Sequence, residues 1–129
     1  MVREYDINKD GDTKLSEHFK VKEFQCKDGS NKILLDDDLI EVLESLRQFI
    51  GKPITILSGY RTQNYNIKCG GASNSYHCKG MASDIRADVP LTKLAIYSAM
   101  MGARGIGIYS DQNFIHVDTR EDKIVFKEK

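Results

Sequence analysis

Apolar residues recur along this chain with two different periods. Between Asp36 and Ile50, Leu39, Val42, Leu43, Leu46 and Ile50 fall three or four residues apart, which predicts an amphipathic helix. Asp36 or Asp37 can cap it, and its acidic first turn suits the positive end of the helix dipole. Gly51 and then Pro53 close it. A second helix is predicted over 91–101, with Pro90 at its first turn, Leu91, Leu94, Ala95 and Met101 facing inward, and Gly102 after it. Shorter runs read as strands: "ITIL" at 54–57, "ASDIR" at 82–86, "GIGIY" at 105–109 and "FIHVD" at 114–118. The last two are joined by the turn "SDQN", and "KIVF" near the end predicts an edge strand. "HFKVKEFQC", residues 18–26, predicts a short strand or a clamp on the core. "SGYRTQNYN", residues 58–66, reads as a polar turn leading into the Gly/Ser/Asn loop at 70–75. The strands cluster late, with too few helices between them for a doubly wound sheet. The predicted class is α+β, a small and mostly antiparallel sheet packed with two main helices.

Residues 1–18 are polar and rich in Asp, Asn, Lys and Gly, which predicts an extended, loosely attached arm before one domain at 19–129. Within the arm, "DINKDGDTKLSE" places Asp6, Asn8, Asp10, Gly11 and Glu17 in register with a calcium-loop template. The template also wants a preceding helix and an apolar residue where Thr13 stands, so a solvated turn is the expectation. At 129 residues the chain can bury a core without staples. Its formal net charge of zero gives no basic footprint for nucleic acid. No apolar run approaches the roughly 20 residues that span a bilayer, so no membrane partner is expected. Charges in "MVREYDINKDGDTKL" stand where a signal peptide needs an apolar core, so synthesis in the cytoplasm without a signal peptide is expected. Cys26, Cys69 and Cys78 are an odd number, which fits reduced thiols better than a disulfide framework. A monomer is expected.

Chemistry concentrates in "SYHCKGMASDI", residues 75–85, and "FIHVD", residues 114–118. His77 precedes a strand that carries Asp84, and His116 shares its strand face with Phe114 and Asp118 by period two. Imidazole, carboxylate and imidazole from separate strands can give a divalent metal three ligands and leave a position open for water. Read from residue types alone, core or surface histidines explain the pattern as well. Cys78 adjoins His77, but in an extended segment its side chain would point away and pack behind the site.

"SGYRTQNYN", "GGASNSYHCKGMASDI" and "FIHVDTR", taken in order, closely resemble the zinc D-Ala-D-Ala carboxypeptidase family. That family shares the hedgehog/DD-peptidase fold, which also serves phage cell-wall endolysins. The first metal segment matches the family pattern at Ser75, His77, Ala82 and Asp84, and the second matches the His-x-Asp of the phage-type branch at His116 and Asp118. The resemblance covers roughly residues 16–120 and implies zinc held by His77, Asp84 and His116. Arg61 falls where the family places a substrate-binding arginine; a fixed guanidinium can hold a carboxylate or a developing oxyanion. A surface arginine in a turn is the plainer alternative. Ser75 could donate to substrate or simply shape its loop, and Tyr60 is expected to pack.

The chain departs from the better-known family peptidases three residues before the last histidine. They carry Glu or Asp there as general base, whereas this chain carries Asn113, and an amide is no proton acceptor for water. Asp118, on the face of His116, is the favoured replacement, with Asp111 as the other carboxylate and histidine orientation as the other role for Asp118.

The resemblance implies a zinc metallopeptidase that cuts peptides of bacterial peptidoglycan at a bond involving a D-amino acid, and a compact domain with no wall-binding repeat fits a phage or prophage lysis enzyme by analogy. The competing expectations are a non-catalytic zinc-stabilised binding module, which the missing acid at position 113 supports, and a cytoplasmic D,D-dipeptidase.

Overall fold

A computed structural model describes residues 1–128. The strands are β1 (Val2–Asp6), β2 (Lys32–Asp36), β3 (Ile54–Ser58), β4 (Ala82–Ala87), β5 (Gly105–Tyr109), β6 (Phe114–Asp118) and β7 (Ile124–Glu128). The helices are α1 (Ile7–Asp10), α2 (Asp37–Ile50), α3 (Gln63–Lys68) and α4 (Leu91–Met100). The architecture is α+β, as the pattern of elements predicts.

Five strands form the main sheet in the order β3-β4-β6-β5-β7, antiparallel except for the last pair. α4 packs against β5, β6 and α2. Leu39, Leu43 and Leu46 of α2, Leu94 of α4, and Ile85, Ile115 and Val117 of the sheet are fully buried in one core. Each such side chain contributes roughly 1.5–3 kcal/mol by leaving water. Asp36 caps α2 by accepting from the Asp38 amide, and Gly51 ends it in the left-handed conformation. Both boundaries follow from the local sequence.

Alternation then decides what the other sheet face carries. With Ile85, Ile115 and Val117 in the core, Asp84, His116 and Asp118 must face the opposite way. The register places Asp84 beside His116, and Ala82 beside Asp118. On the far side of β6, Gly107 pairs with His116 and Gly105 with Asp118. One polar row thus crosses the middle of the sheet.

The N-terminal residues depart from the predicted arm. β1 pairs antiparallel with β2 from Val2↔Asp36 to Asp6↔Lys32, and Ile33 and Leu35 of β2 are fully buried. Glu44 of α2 latches the following segment: Ser16 Oγ and the His18 amide donate to Oε1 at 2.6 and 2.8 Å, and His18 Nδ1 lies 2.6 Å from Oε2. The charged residues of β1 disguise a strand whose partner is supplied about 30 positions later. The calcium-loop pattern is also spent locally. Asp6 accepts from the Asn8 amide, Asp10 accepts from the Asp6 amide, and Gly11 is helical.

"HFKVKEFQC" acts as a clamp rather than a strand: Val21–Phe24 is a 3-10 turn, and Phe19, Val21 and Phe24 are buried. Part of the predicted polar turn at 58–66 is helical, since Thr62 caps α3 through the Tyr65 amide. The "KIVF" edge strand is present as β7, parallel to β5.

Candidate metal centre

His77 enters the site from a 3-10 turn, Tyr76–Lys79, whose cap is Ser75: the Ser75 hydroxyl accepts from the His77 amide at 3.2 Å. That contact favours the loop-shaping role for Ser75, which also lines the cavity. Position 78 lies on this turn rather than in an extended segment, so the reason for excluding Cys78 changes. Successive residues of a 3-10 turn splay by about 120°, and Cys78 Sγ points at the Thr62 carbonyl, 4.0 Å away. Burial pushes its thiol pKa up.

The donor atoms of His77, Asp84 and His116 lie within 4.8 Å of one another, and all three residues are buried. Asp84 Oδ1 sits between the two rings, 3.2 Å from His77 Nε2 and 3.4 Å from His116 Nδ1. The opposite nitrogen of each ring is committed. His77 Nδ1 lies 2.8 Å from the Gly59 carbonyl, which can only accept, so Nδ1 carries the proton and Nε2 presents its lone pair. His116 Nε2 lies 2.6 Å from Asp118 Oδ2 and donates to it, which turns Nδ1 toward Asp84. Two nitrogens and one carboxylate oxygen, each ring fixed from behind, are the donor set that zinc prefers.

Burial pushes Asp84 up, but His116 and His77, which donate to it when their rings are protonated, outweigh it and hold the carboxyl below its ordinary range. Burial pulls His116 down, and the carboxylates of Asp118 and Asp84 outweigh it, leaving its pKa above the ordinary value. Asp118 is pushed up by burial and held below the usual carboxylate range by Arg120 and then His116.

Arg61 reaches the site from the β3 side. Its Nη2 donates to Asp84 Oδ2 at 3.3 Å, Nε to Ser58 Oγ at 3.2 Å, and Nη1 to Asn66 Oδ1 at 3.3 Å. Asn66 is 1% exposed, and its amide also donates to the Ala72 carbonyl, tying Arg61 to the glycine-rich loop. Arg61 is therefore a built part of the site, not a surface arginine. Tyr60 packs in the core as expected.

Asp118, favoured from the sequence for proton transfer, is placed differently. It is fully buried, it is not part of the cavity wall, and both oxygens are taken. Oδ2 accepts from His116, while Arg120 donates through Nε to both oxygens at 2.8 and 3.0 Å and through its amide to Oδ1. This arrangement matches the orienting alternative. Asp111 and Asn113 are both exposed in the turn between β5 and β6 and do not line the cavity; Asn113 takes a left-handed φ of 58° that asparagine tolerates well. Gln112 alone of that trio reaches the wall.

The cavity over the three donors measures about 590 Å3. Two glycines make room beside it. A Cβ on Gly105 would overlap the Asp118 carboxylate and Arg120 Nε, and one on Gly107 would overlap the Phe126 ring. Phe126 in turn packs against His116, with ring centroids 5.7 Å apart. Sequence reading overlooked Asn66, Arg120 and these glycines. Extending the period of His116 and Asp118 by one more step would have reached Arg120.

Residues 17–118 match the Peptidase M15 family. The peptidoglycan L,D-endopeptidase MepK of Escherichia coli K12 is 35% identical over 99 residues, covering 70% of this chain and 54% of that protein. The zinc D-Ala-D-Ala carboxypeptidase of Streptomyces albus G is 46% identical over 46 residues, covering 35% of this chain and 18% of that protein. The chain spans about half the length of the MepK relatives it matches.

Proposed function

Since this chain belongs to the peptidase M15 family, we propose that it is a zinc peptidase acting on the peptides of bacterial peptidoglycan, at a bond involving a D-amino acid. The observation that carries the reading is the buried donor set of His77, Asp84 and His116, with both outer ring nitrogens already held. Names of the two relatives, an L,D-endopeptidase and a D-Ala-D-Ala carboxypeptidase, support the bond class.

The residues divide the work as follows. His77, Asp84 and His116 would hold zinc, which would supply polarisation of a carbonyl and a lowered pKa for bound water. The Gly59 carbonyl and Asp118 fix the two tautomers, so each imidazole presents a lone pair rather than a proton. Arg61, braced by Ser58 and Asn66, holds a substrate carboxylate or the developing oxyanion without having to reorganise. Ser75 shapes the turn that delivers His77.

Digestion of purified peptidoglycan, with and without chelator and read by mass spectrometry of the muropeptides, tests this. Chelator-sensitive release of new peptide termini is expected, together with one zinc per chain by metal analysis. Full cleavage by His116→Ala, or no zinc in the purified protein, would sink it. One observation favours a second reading, a non-catalytic zinc-stabilised wall-binding module: among the described residues, Asp84 is the single carboxylate lining the cavity. Zinc-dependent retention on peptidoglycan without release of peptides would select that reading.

A further inference from the structure

We propose that Arg120 is a second carboxylate anchor of this site, and that its substrate carries a free carboxylate near the scissile bond on the side away from Arg61. This rests on the peptidase reading above and deepens it. Apart from the histidines and Asp84, the formally charged groups on the cavity wall are Arg61 and Arg120. They approach from opposite edges. Arg61 comes from the β3 side through Ser58 and Asp84, and Arg120 from the end of β6, beside Gly105 of β5.

Arg120 is held like a ligand-binding group rather than a solvated one. Its Nε and Nη2 grip the Asp118 carboxylate, its guanidinium stacks over the Tyr76 ring at 4.6 Å, and its side chain is 19% exposed. Its Nη1 makes no hydrogen bond among the described residues. Any side chain at position 105 would displace the pair. A guanidinium fixed in this way, on the cavity wall, can engage a ligand with little rotamer entropy left to lose. Asp118 already neutralises one charge, but zinc on Asp84 would leave the cavity net positive, which selects an anionic peptide over a neutral one. The guanidinium sits one carboxylate away from His116, so the partner carboxylate falls within about two residues of the scissile carbonyl at roughly 3.5 Å per extended residue.

The test compares two stem-peptide substrates identical except that the carboxylate nearest the cut is free in one and amidated in the other. With the zinc-loaded full chain, kcat/KM is expected to favour the free acid by about tenfold or more, as for other charge-assisted contacts. Arg120→Gln is expected to bring that ratio to within about twofold of unity, whatever it does to the absolute rates. Arg120→Lys offers a single ammonium that cannot hold Asp118 and a substrate carboxylate in one plane, so a ratio of about threefold is expected, and this variant serves if the glutamine form does not fold. An unchanged ratio in both variants overturns the proposal, because a residue that only supports Asp118 slows both substrates alike. Calorimetric binding of the same two peptides gives an independent readout. If neither peptide is cut by the wild type, the peptidase reading fails, and the acid-over-amide binding preference with its dependence on Arg120 still decides the anchor.

Discussion

Replacing Asp118 by asparagine separates the two roles open to this carboxylate. The side chain is fully buried and accepts on both sides, from His116 Nε2 at 2.6 Å and from the Arg120 guanidinium and amide. Asparagine has the same shape but only one accepting atom. Its oxygen belongs toward Arg120, which can only donate, so its NH2 group meets His116. Nε2 must then accept, and the ring proton moves to Nδ1, the nitrogen that faces Asp84. Metal and proton now compete for one lone pair, as when a catalytic histidine is forced into the wrong tautomer. Loss of one charge-assisted hydrogen bond and a tautomer change amount to about 1.5–3 kcal/mol, or roughly a 10–100-fold loss of zinc affinity. Competition against a chelating dye measures this directly, without reference to activity. Zinc affinity within about threefold of the wild type, combined with lost cleavage, would refute the orienting role and return Asp118 to proton transfer.

Three further predictions follow from particular contacts. Asn66→Ala removes the acceptor for Arg61 Nη1 and the donor to Ala72 in a site 1% exposed; a stability loss of about 1–3 kcal/mol is expected in urea unfolding, and kcat/KM should fall while zinc content holds. Gly105→Ala pushes a methyl group into Asp118 and Arg120; zinc affinity should drop as in Asp118→Asn, and a Gly105→Ala protein with unaltered affinity would show that the pair relaxes freely. Burial pushes Glu44 up, yet hydrogen bonds from Ser16, His18 and Gln48 outweigh it and hold its pKa at about 2, below the ordinary 4.5. A depressed carboxyl contributes stability above its ordinary pKa and loses it as pH falls through the folded value. The melting-temperature gap between wild type and Glu44→Gln should therefore be widest above pH 4.5 and close toward pH 2; a gap independent of pH would contradict the latch.

What the sequence determined by itself was whatever depends on neighbours a few residues apart. Leu39, Val42, Leu43 and Leu46 specify α2 by their spacing, and the alternation of Ile115 and Val117 with His116 and Asp118 already sorts β6 into a core face and a site face. The resemblance of three short segments then singled out His77, Asp84 and His116, which the fold brings within 4.8 Å. Tertiary structure decided whatever depends on a partner remote in the chain. β1 looked like a solvated arm because β2, which satisfies its backbone, lies about 30 residues on. The tautomer of His77 is set by the Gly59 carbonyl, and no local pattern at 75–85 encodes that acceptor. Asp111 could be nominated from its distance to His116, but it is exposed in the turn between β5 and β6 and does not line the cavity. Asp118 lies on the site face that alternation assigns it, but its oxygens are engaged by His116 and Arg120, an arrangement that favours orientation over proton transfer. Alternation tells where a side chain points, whereas its free lone pairs depend on Arg120 folding back across Gly105, a contact that exists only once β5 and β6 are paired.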